Sequence, residues 1–130
     1  LMNICVRNYH LDGYGHVNHA RYLEFLEEAR WAFFDEHGLL PLPDNLQLVV
    51  ARIDIRYRRA ATNGQVLQIN SQIKELTTRH LILSQQIVLP DSGKNAVEAD
   101  ITLMPVDGNS GRSIRFPENL SSFLHTLHTP

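Results

Sequence analysis

The sequence predicts an α+β domain in which one long helix packs against a five-stranded antiparallel sheet. Apolar residues recur with the helical period of 3.6 between positions 18 and 37, and with the strand period of 2 in segments after residue 45. Turn-forming residues separate those segments. At 130 residues, the chain is expected to be one domain spanning residues 1–130.

The first two predicted elements are a short strand over residues 3–9 and, after a loop at 10–17, the long helix. Asn18 is suited to cap the start of the helix. Gly38 and the prolines after it predict that the helix ends at about His37. One apolar stripe runs along the helix at offsets of four, three and four residues: Tyr22, Leu26, Ala29 and Phe33.

Four further strands are predicted from apolar alternation. They lie around residues 53–57, 67–74, 80–89 and 97–103. The predicted turns between them are Asn63-Gly64, Thr77-Thr78 and Asp91-Ser92-Gly93. A weaker apolar pattern after Pro117 indicates a short closing helix. The long helix would cover one face of the sheet and leave the other to water or to a second subunit.

The composition excludes several classes of function. A formal charge of −2 gives no general attraction to nucleic acid or to an anionic membrane, so neither is expected as a partner. No segment approaches the roughly 18 consecutive apolar residues of a membrane span. Cys5 is the single cysteine and has no intramolecular partner for a disulfide. The expected location is the cytoplasm.

The feature that carries chemistry is Asp12, which lies on a glycine-containing loop directly before the long helix. A carboxylate beside a helix start combines a potential base or nucleophile with backbone N–H groups that can hold an oxyanion. That combination suits acyl transfer. The alternative is an Asx turn that merely shapes the loop, and the residues alone leave both interpretations open.

The same segment resembles a known family. The run Asp12-x-x-Gly15-His16-Val17-Asn18-x-x-x-Tyr22-Leu23-x-Phe25-x-Glu27-x-Ala29-Arg30 is similar to the hotdog-fold acyl-CoA thioesterases of the 4-hydroxybenzoyl-CoA thioesterase-like family. Ile53-x-Ile55-x-Tyr57-Arg58-Arg59-Ala60 and Leu81-Ile82-Leu83-Ser84-Gln85 continue the resemblance, which covers roughly residues 4–106. Within the family, the bacterial long-chain acyl-CoA thioesterase III branch looks most similar.

The resemblance implies a hotdog fold, in which a five-stranded antiparallel sheet wraps one long helix. It also implies homodimers, or homotetramers built from them, whose sheets pair edge to edge and whose active sites lie at the dimer interface. The implied reaction is hydrolysis of medium- to long-chain acyl-CoA to free acid and CoA. No cofactor is implied beyond the coenzyme A of the substrate.

The family pattern assigns the catalytic residues by alignment. Asp12 would be the general base or the nucleophile, and the backbone N–H of His19 would polarise the thioester carbonyl. Asn18 would cap the helix or order a water, and His16 would position the loop or transfer a proton. His10, where many relatives carry a second aspartate, is interpreted as a solvated histidine. No metal site is expected, because the histidines straddle an irregular loop without the i, i+4 helical spacing that holds paired ligands.

Substrate contacts are less specific. Tyr22 is a candidate for the acyl tunnel, and the candidates for the CoA phosphates are Arg58, Arg59 and Arg79. Thr77 and Thr78 occupy two positions of the basic run that some relatives carry beside Arg79. On the helix, Glu27 and Arg30 are expected to form an i, i+3 ion pair, unless Glu27 instead faces the site.

Two other functions of hotdog proteins are alternatives to hydrolysis. A protein that binds acyl-CoA without hydrolysing it is the main alternative, although binding alone does not require the carboxylate of Asp12. A dehydratase or hydratase would need a paired aspartate and histidine on a longer helix insertion, which this sequence lacks.

Overall fold

A computed structural model gives the structure of the protein and describes residues 1–128. The strands are β1 (Met2–Cys5), β2 (Leu46–Tyr57), β3 (Val66–Leu76), β4 (Leu81–Val88) and β5 (Asn95–Asp107). The α-helices are α1 (His19–Glu36) and α2 (Glu118–Leu127), and two 3₁₀ turns span Asn8–His10 and Pro43–Asn45. The predicted long helix, the four later strands and the closing helix are therefore present.

The five strands form one antiparallel sheet in the order β1-β3-β4-β5-β2. Strand β2 lies at an edge and pairs with β5, from Leu46 opposite Asp107 to Tyr57 opposite Val97. It does not lie beside β3, the strand that follows it in the sequence. Two β-strands that are adjacent in the sequence are thus separated by two others in the sheet.

Strand β1 is shorter than predicted. It ends at Cys5 rather than at residue 9, because Asn8–His10 form a 3₁₀ turn. The backbone N–H of Arg7 donates to Nδ1 of His10 at 2.9 Å, which bends the chain away from the sheet. The segment before Asp12 is therefore a compact turn.

Helix α1 begins and ends where the sequence predicts. Oδ1 of Asn18 accepts the backbone N–H of Ala20 at 3.0 Å, and Gly38 follows the helix with a φ of 72°. The left-handed conformation of Gly38 ends the helix without steric strain. The whole predicted stripe is buried, together with further side chains on the same side: Phe25, Arg30 and Phe34. This side packs on the apolar face of the sheet.

The opposite face of the sheet is polar. It surrounds an open cleft of about 770 Å³ whose charged side chains are Asp54, Arg56, Arg58, Lys74, Glu98 and Asp100. Lys74 pairs with Asp100 at 2.6 Å, and Arg58 pairs with Glu98 at 3.1 Å. Neither α-helix within residues 1–128 combines the length and apolar character needed to cross a membrane.

Strand β2 exposes apolar side chains on its helix side. A register shift between Val50 and Arg52 marks a β-bulge, after which Ile53 and Tyr57 continue the row begun by Val50. Asp54 and Arg56 consequently point to the polar face. The exposed members of the row are Val50 (40%), Ile53 (36%) and Tyr57 (46%).

Candidate active site

The loop that carries Asp12 is held in one shape by backbone hydrogen bonds. The N–H of Asp12 donates to the carbonyl of His16 at 2.8 Å, and the N–H of Gly15 donates to the carbonyl of Asp12 at 3.1 Å. Leu11 and Val17 pair as an isolated antiparallel bridge. Gly15 adopts a φ of 77°, which glycine tolerates without strain. Asp12 therefore occupies the first position of a tight turn.

The two oxygens of the Asp12 carboxylate have different roles in the loop. Oδ1 accepts the backbone N–H groups of Tyr14 at 2.8 Å and of His16 at 3.3 Å, which is the geometry of an Asx turn. Within residues 1–128, no hydrogen bond reaches Oδ2. The half-buried carboxylate is thus oriented through one oxygen while the other is available to a water or a substrate.

A second segment anchors the loop from the side. The N–H of Val17 donates to the carbonyl of Ala61 at 2.9 Å, and the N–H of Ala61 donates to the hydroxyl oxygen of Tyr22 at 3.0 Å. Burial raises the pKa of Tyr22, the Ala61 N–H opposes that rise, and the charge of Asp12 adds to it. The field of the Asp12 carboxylate therefore acts on the buried phenol.

The start of α1 presents a free donor. His19 is the first helical residue, and within residues 1–128 its backbone N–H has no acceptor, as is usual for the first turn of a helix. Its carbonyl accepts the hydroxyl of Tyr57 at 3.4 Å, and the two rings meet edge to face at 6.2 Å. The rings of Tyr57 and Tyr22 lie 5.8 Å apart. The helix start, the end of β2 and Tyr22 therefore form one cluster.

The remaining loop residues shape the segment. His16 is exposed, and its backbone N–H and carbonyl form hydrogen bonds with Asp12. The side chain of Asn18 caps α1, which is one of the two roles expected for it. Burial lowers the pKa of His10, and the nearby charge of Arg21 lowers it further. Within the described part of the chain, no group of three or more His, Cys, Asp or Glu side chains is placed to hold a metal ion.

The basic candidates separate into two places. Arg58 and Arg59 follow β2 and line an open cleft of about 440 Å³ together with Lys94. Arg59 Nη1 donates to the carbonyl of Asn95 at 2.9 Å, which fixes one arginine at the cleft. Lys94, in the turn before β5, was not singled out in the sequence. Its place directly after the predicted turn Asp91-Ser92-Gly93 is the signal that could have indicated it.

Arg79 lies elsewhere in the chain. It occupies the turn between β3 and β4, where its N–H donates to Oγ1 of Thr77 at 3.3 Å. Lys94 lies beyond the opposite end of β4. Within one chain, Arg79 therefore lies at the other end of β4 from the cleft that Arg58 and Arg59 line.

The ion pair expected on α1 is not formed. Arg30 lies one turn after Leu26 on the buried side, where only 6% of its surface is exposed, whereas the side chain of Glu27 is exposed and forms no ion pair with it within residues 1–128. Nη1 of Arg30 donates instead to Oε1 of the fully buried Gln85 at 3.3 Å. Gln85 in turn donates to the carbonyl of Leu26 at 3.1 Å and to Oγ of Ser71 at 2.9 Å. Burial lowers the pKa of Arg30, and the charge of Glu27 opposes that effect.

Comparisons with known proteins identify the class. Residues 6–124 match the model of the Thioesterase-like superfamily, so the chain belongs to that superfamily and is a thioester hydrolase by membership. The family resemblance predicted from the Asp12 motif is confirmed, and with it the hotdog fold.

Individual relatives agree with this assignment. The long-chain acyl-CoA thioesterase FadM of Escherichia coli K12 is 40% identical over 126 residues, covering 95% of this chain and 96% of FadM. The crystal structure of the probable thioesterase YbaW from Escherichia coli has a TM-score of 0.82 and 38% identity, with 98% of each chain covered. A hypothetical protein from Thermus thermophilus has a TM-score of 0.88 at 27% identity, also covering 98% of each chain.

Proposed function

We propose that this protein hydrolyses acyl-CoA thioesters to a free acid and coenzyme A. The observation that carries the proposal is the state of Asp12: one oxygen is fixed by two backbone N–H groups, the other is unbonded within residues 1–128. The loop leads directly into a helix whose first N–H also lacks an acceptor there. The similarity to FadM over nearly the full chain supports the same activity.

The proposed chemistry uses these two groups together. A thioester carbonyl is electrophilic because sulfur donates little electron density to it, and a thiolate leaves readily. Asp12 acts as general base on a water or as the nucleophile itself. Water supplies the oxygen that ends on the carbonyl carbon, the C–S bond breaks, and the proton ends on the CoA thiol. The His19 N–H holds the oxyanion, which is worth about 3 kcal/mol for a typical single donor.

We further propose that a second copy of the chain completes the site, in a homodimer or in a homotetramer made of two such dimers. Among residues 1–128, strand β2 has a partner on one side only, and it exposes apolar side chains on its helix side. An unpaired edge with exposed apolar residues favours pairing with another strand. Tyr57 at the end of β2 contacts His19, so the same edge leads to the proposed oxyanion donor.

The substrate contacts follow from charge and from the apolar row. Arg58, Arg59 and Lys94 line one cleft and are proposed to hold the CoA phosphates. Arg79 is proposed to contribute only across a subunit boundary. Tyr22 and the row on β2 are proposed to line the path of a medium- to long-chain acyl group, in keeping with the long-chain substrate named for FadM.

The test is release of free thiol from palmitoyl-CoA and from shorter and aromatic acyl-CoAs, followed with a thiol reagent. The wild-type protein is expected to release thiol, and Asp12→Asn is expected to lose at least about a hundredfold in rate. Asp91→Asn makes the same chemical change on an exposed turn and serves as the matched control. Binding of acyl-CoA without thiol release from any substrate would favour the non-catalytic alternative.

A further inference from the structure

A separate cleft of about 60 Å³ lies between α1 and β2. Its apolar walls include Trp31 and Phe34 from the helix and Leu48 and Val50 from the strand. One buried charged side chain, Arg30, also lines it. A cation at the wall of an apolar cleft is unusual, because burying an uncompensated charge is costly.

The guanidinium of Arg30 has donors to spare. Its five N–H groups form a rigid fork, and the hydrogen bond of Nη1 to Gln85 uses one of them. Within residues 1–128, every fully buried side-chain nitrogen has a hydrogen-bond partner. The other two nitrogens of Arg30 have no such partner there, so they are not fully buried. They are therefore accessible from outside the core, and Arg30 lines the cleft. Within the same residues, no carboxylate forms an ion pair with Arg30.

We infer that this cleft receives the far end of the acyl chain and that Arg30 recognises a neutral oxygen, such as a hydroxyl, carried there. The inference rests on the proposed acyl-CoA hydrolysis and specifies the class of substrate. Glu27 lines the same cleft, and its negative charge favours a neutral oxygen over a carboxylate. The volume is about that of two waters at ~30 Å³ each, which suits a small polar end group.

The spacing along the helix fits a long chain. Arg30 lies eleven residues after His19, whose N–H is the proposed oxyanion donor. At about 1.5 Å per residue, the two positions are ~16 Å apart along the helix axis. The hydrocarbon core of a bilayer is ~30 Å thick and contains two layers of acyl chains, so ~16 Å is about the length of one long acyl chain. The apolar row on β2 connects the same two places, since Tyr57 contacts His19 and Val50 lines the cleft.

Trp31 provides a direct measurement, because it is the only tryptophan of the chain and lines the cleft. The probes are two thioether analogues, S-hexadecyl-CoA and the same molecule with a terminal hydroxyl, which cannot be hydrolysed. Fluorescence titration of the intact protein is expected to show about tenfold tighter binding of the hydroxylated probe, as for one hydrogen bond to a charged group.

Variants of Arg30 test whether this residue causes the tighter binding of the hydroxylated probe. Arg30→Met is expected to abolish the difference between the probes, and Arg30→Lys to retain part of it. Arg56→Met removes an exposed arginine on the other face of the sheet and is expected to keep the full difference.

Equal or weaker binding of the hydroxylated probe by the wild-type protein would overturn the inference, as would binding of neither probe or a preference that survives Arg30→Met. If Arg30→Met does not fold, the comparison of the two probes on the wild-type protein still decides. The readout is independent of hydrolysis. Failure to hydrolyse any acyl-CoA would defeat the proposed function instead.

Discussion

Oδ1 of Asp12 accepts the backbone N–H of Tyr14 at 2.8 Å. This bond makes the same side chain a structural part of the loop and a candidate for the chemistry. The two roles are separable, since the carbonyl oxygen of an asparagine can accept the same N–H, whereas its neutral amide cannot act as a base. The loop and the reaction can therefore be tested independently.

Asp12→Asn is expected to keep the turn and therefore the melting temperature, within about 2 °C, while losing activity. Asp12→Ala is expected to lose the activity and also about 1 kcal/mol of stability, because two backbone N–H groups lose their acceptor. Thermal unfolding of the two variants beside thiol release provides the measurement. Equal stability of both variants would contradict the structural role.

The oxyanion donor can be removed without removing the helix. Proline at the first helical position lacks the N–H and is favoured there. Asn18, with φ −59° and ψ 133°, already has the conformation that a following proline requires. His19→Pro is therefore expected to fold and to lose about a hundredfold in kcat, the cost typical of one oxyanion-hole donor.

His19→Ala is the matched control, since it removes the ring but keeps the backbone N–H. Its kcat is expected to stay within about threefold of the wild-type value, the loss being limited to the contact with Tyr57. Circular dichroism establishes that both variants are folded. A fully active His19→Pro protein would exclude this N–H as the donor.

The unpaired edge of β2 is the surface through which the proposed dimer would form. Ile53→Lys places a charge on the exposed apolar row and is expected to convert the proposed dimer to a monomer and to lower thioesterase activity at least about tenfold. Light scattering coupled to size exclusion measures the mass. Val66→Lys, at a 48% exposed site on β3, is expected to remain dimeric. Persistence of the dimer in Ile53→Lys would show that another surface holds the subunits together.

His10 predicts a dependence of stability on pH. Burial lowers its pKa below the ordinary value of 6.5, so between the two values the unfolded chain binds more protons than the folded one. Stability should accordingly be complete above pH 6.5 and decrease as the pH falls through that window. The decrease should be less than about 3 °C in melting temperature, because the group is only partly buried.

His10→Asn retains an acceptor for the Arg7 N–H but does not titrate, and it is expected to lose this part of the pH dependence. Melting curves of both proteins from neutral to mildly acidic pH make the comparison, in which the other six histidines act equally. Identical pH profiles would assign the effect to those histidines.

Periodicity predicted the elements but not how they meet. Helix α1 and the strands after it follow from local patterns, which depend only on neighbouring residues. The place of β2 beside β5 depends on pairing between distant segments, which alternation does not encode. The bulge between Val50 and Arg52 was not predicted for a related reason. The apolar row moves from Val50 to Ile53, and only the pairing with β5 shows that a residue is inserted between them.

The site shows the same division. The loop, the cap by Asn18 and the helix start were predictable, because capping and turn residues act within a few positions. Arg30 was misjudged because the i, i+3 spacing to Glu27 suggested a surface pair, whereas its partner Gln85 lies on β4. Arg58 and Lys94 line one cleft because the strands next to them, β2 and β5, pair in the sheet. Their separation in the sequence does not indicate that pairing.

The position of β2 beside β5 also affects biosynthesis. Residues 46–57 leave the ribosome well before residues 95–107, the strand they pair with, so the outer strand waits unpaired while the hairpins of β3, β4 and β5 are made. Its apolar row stays open to chaperones or to aggregation during that interval. In the proposed dimer, protomers would associate through this strand only after β5 has been synthesised, so assembly would wait for a segment made about forty residues later.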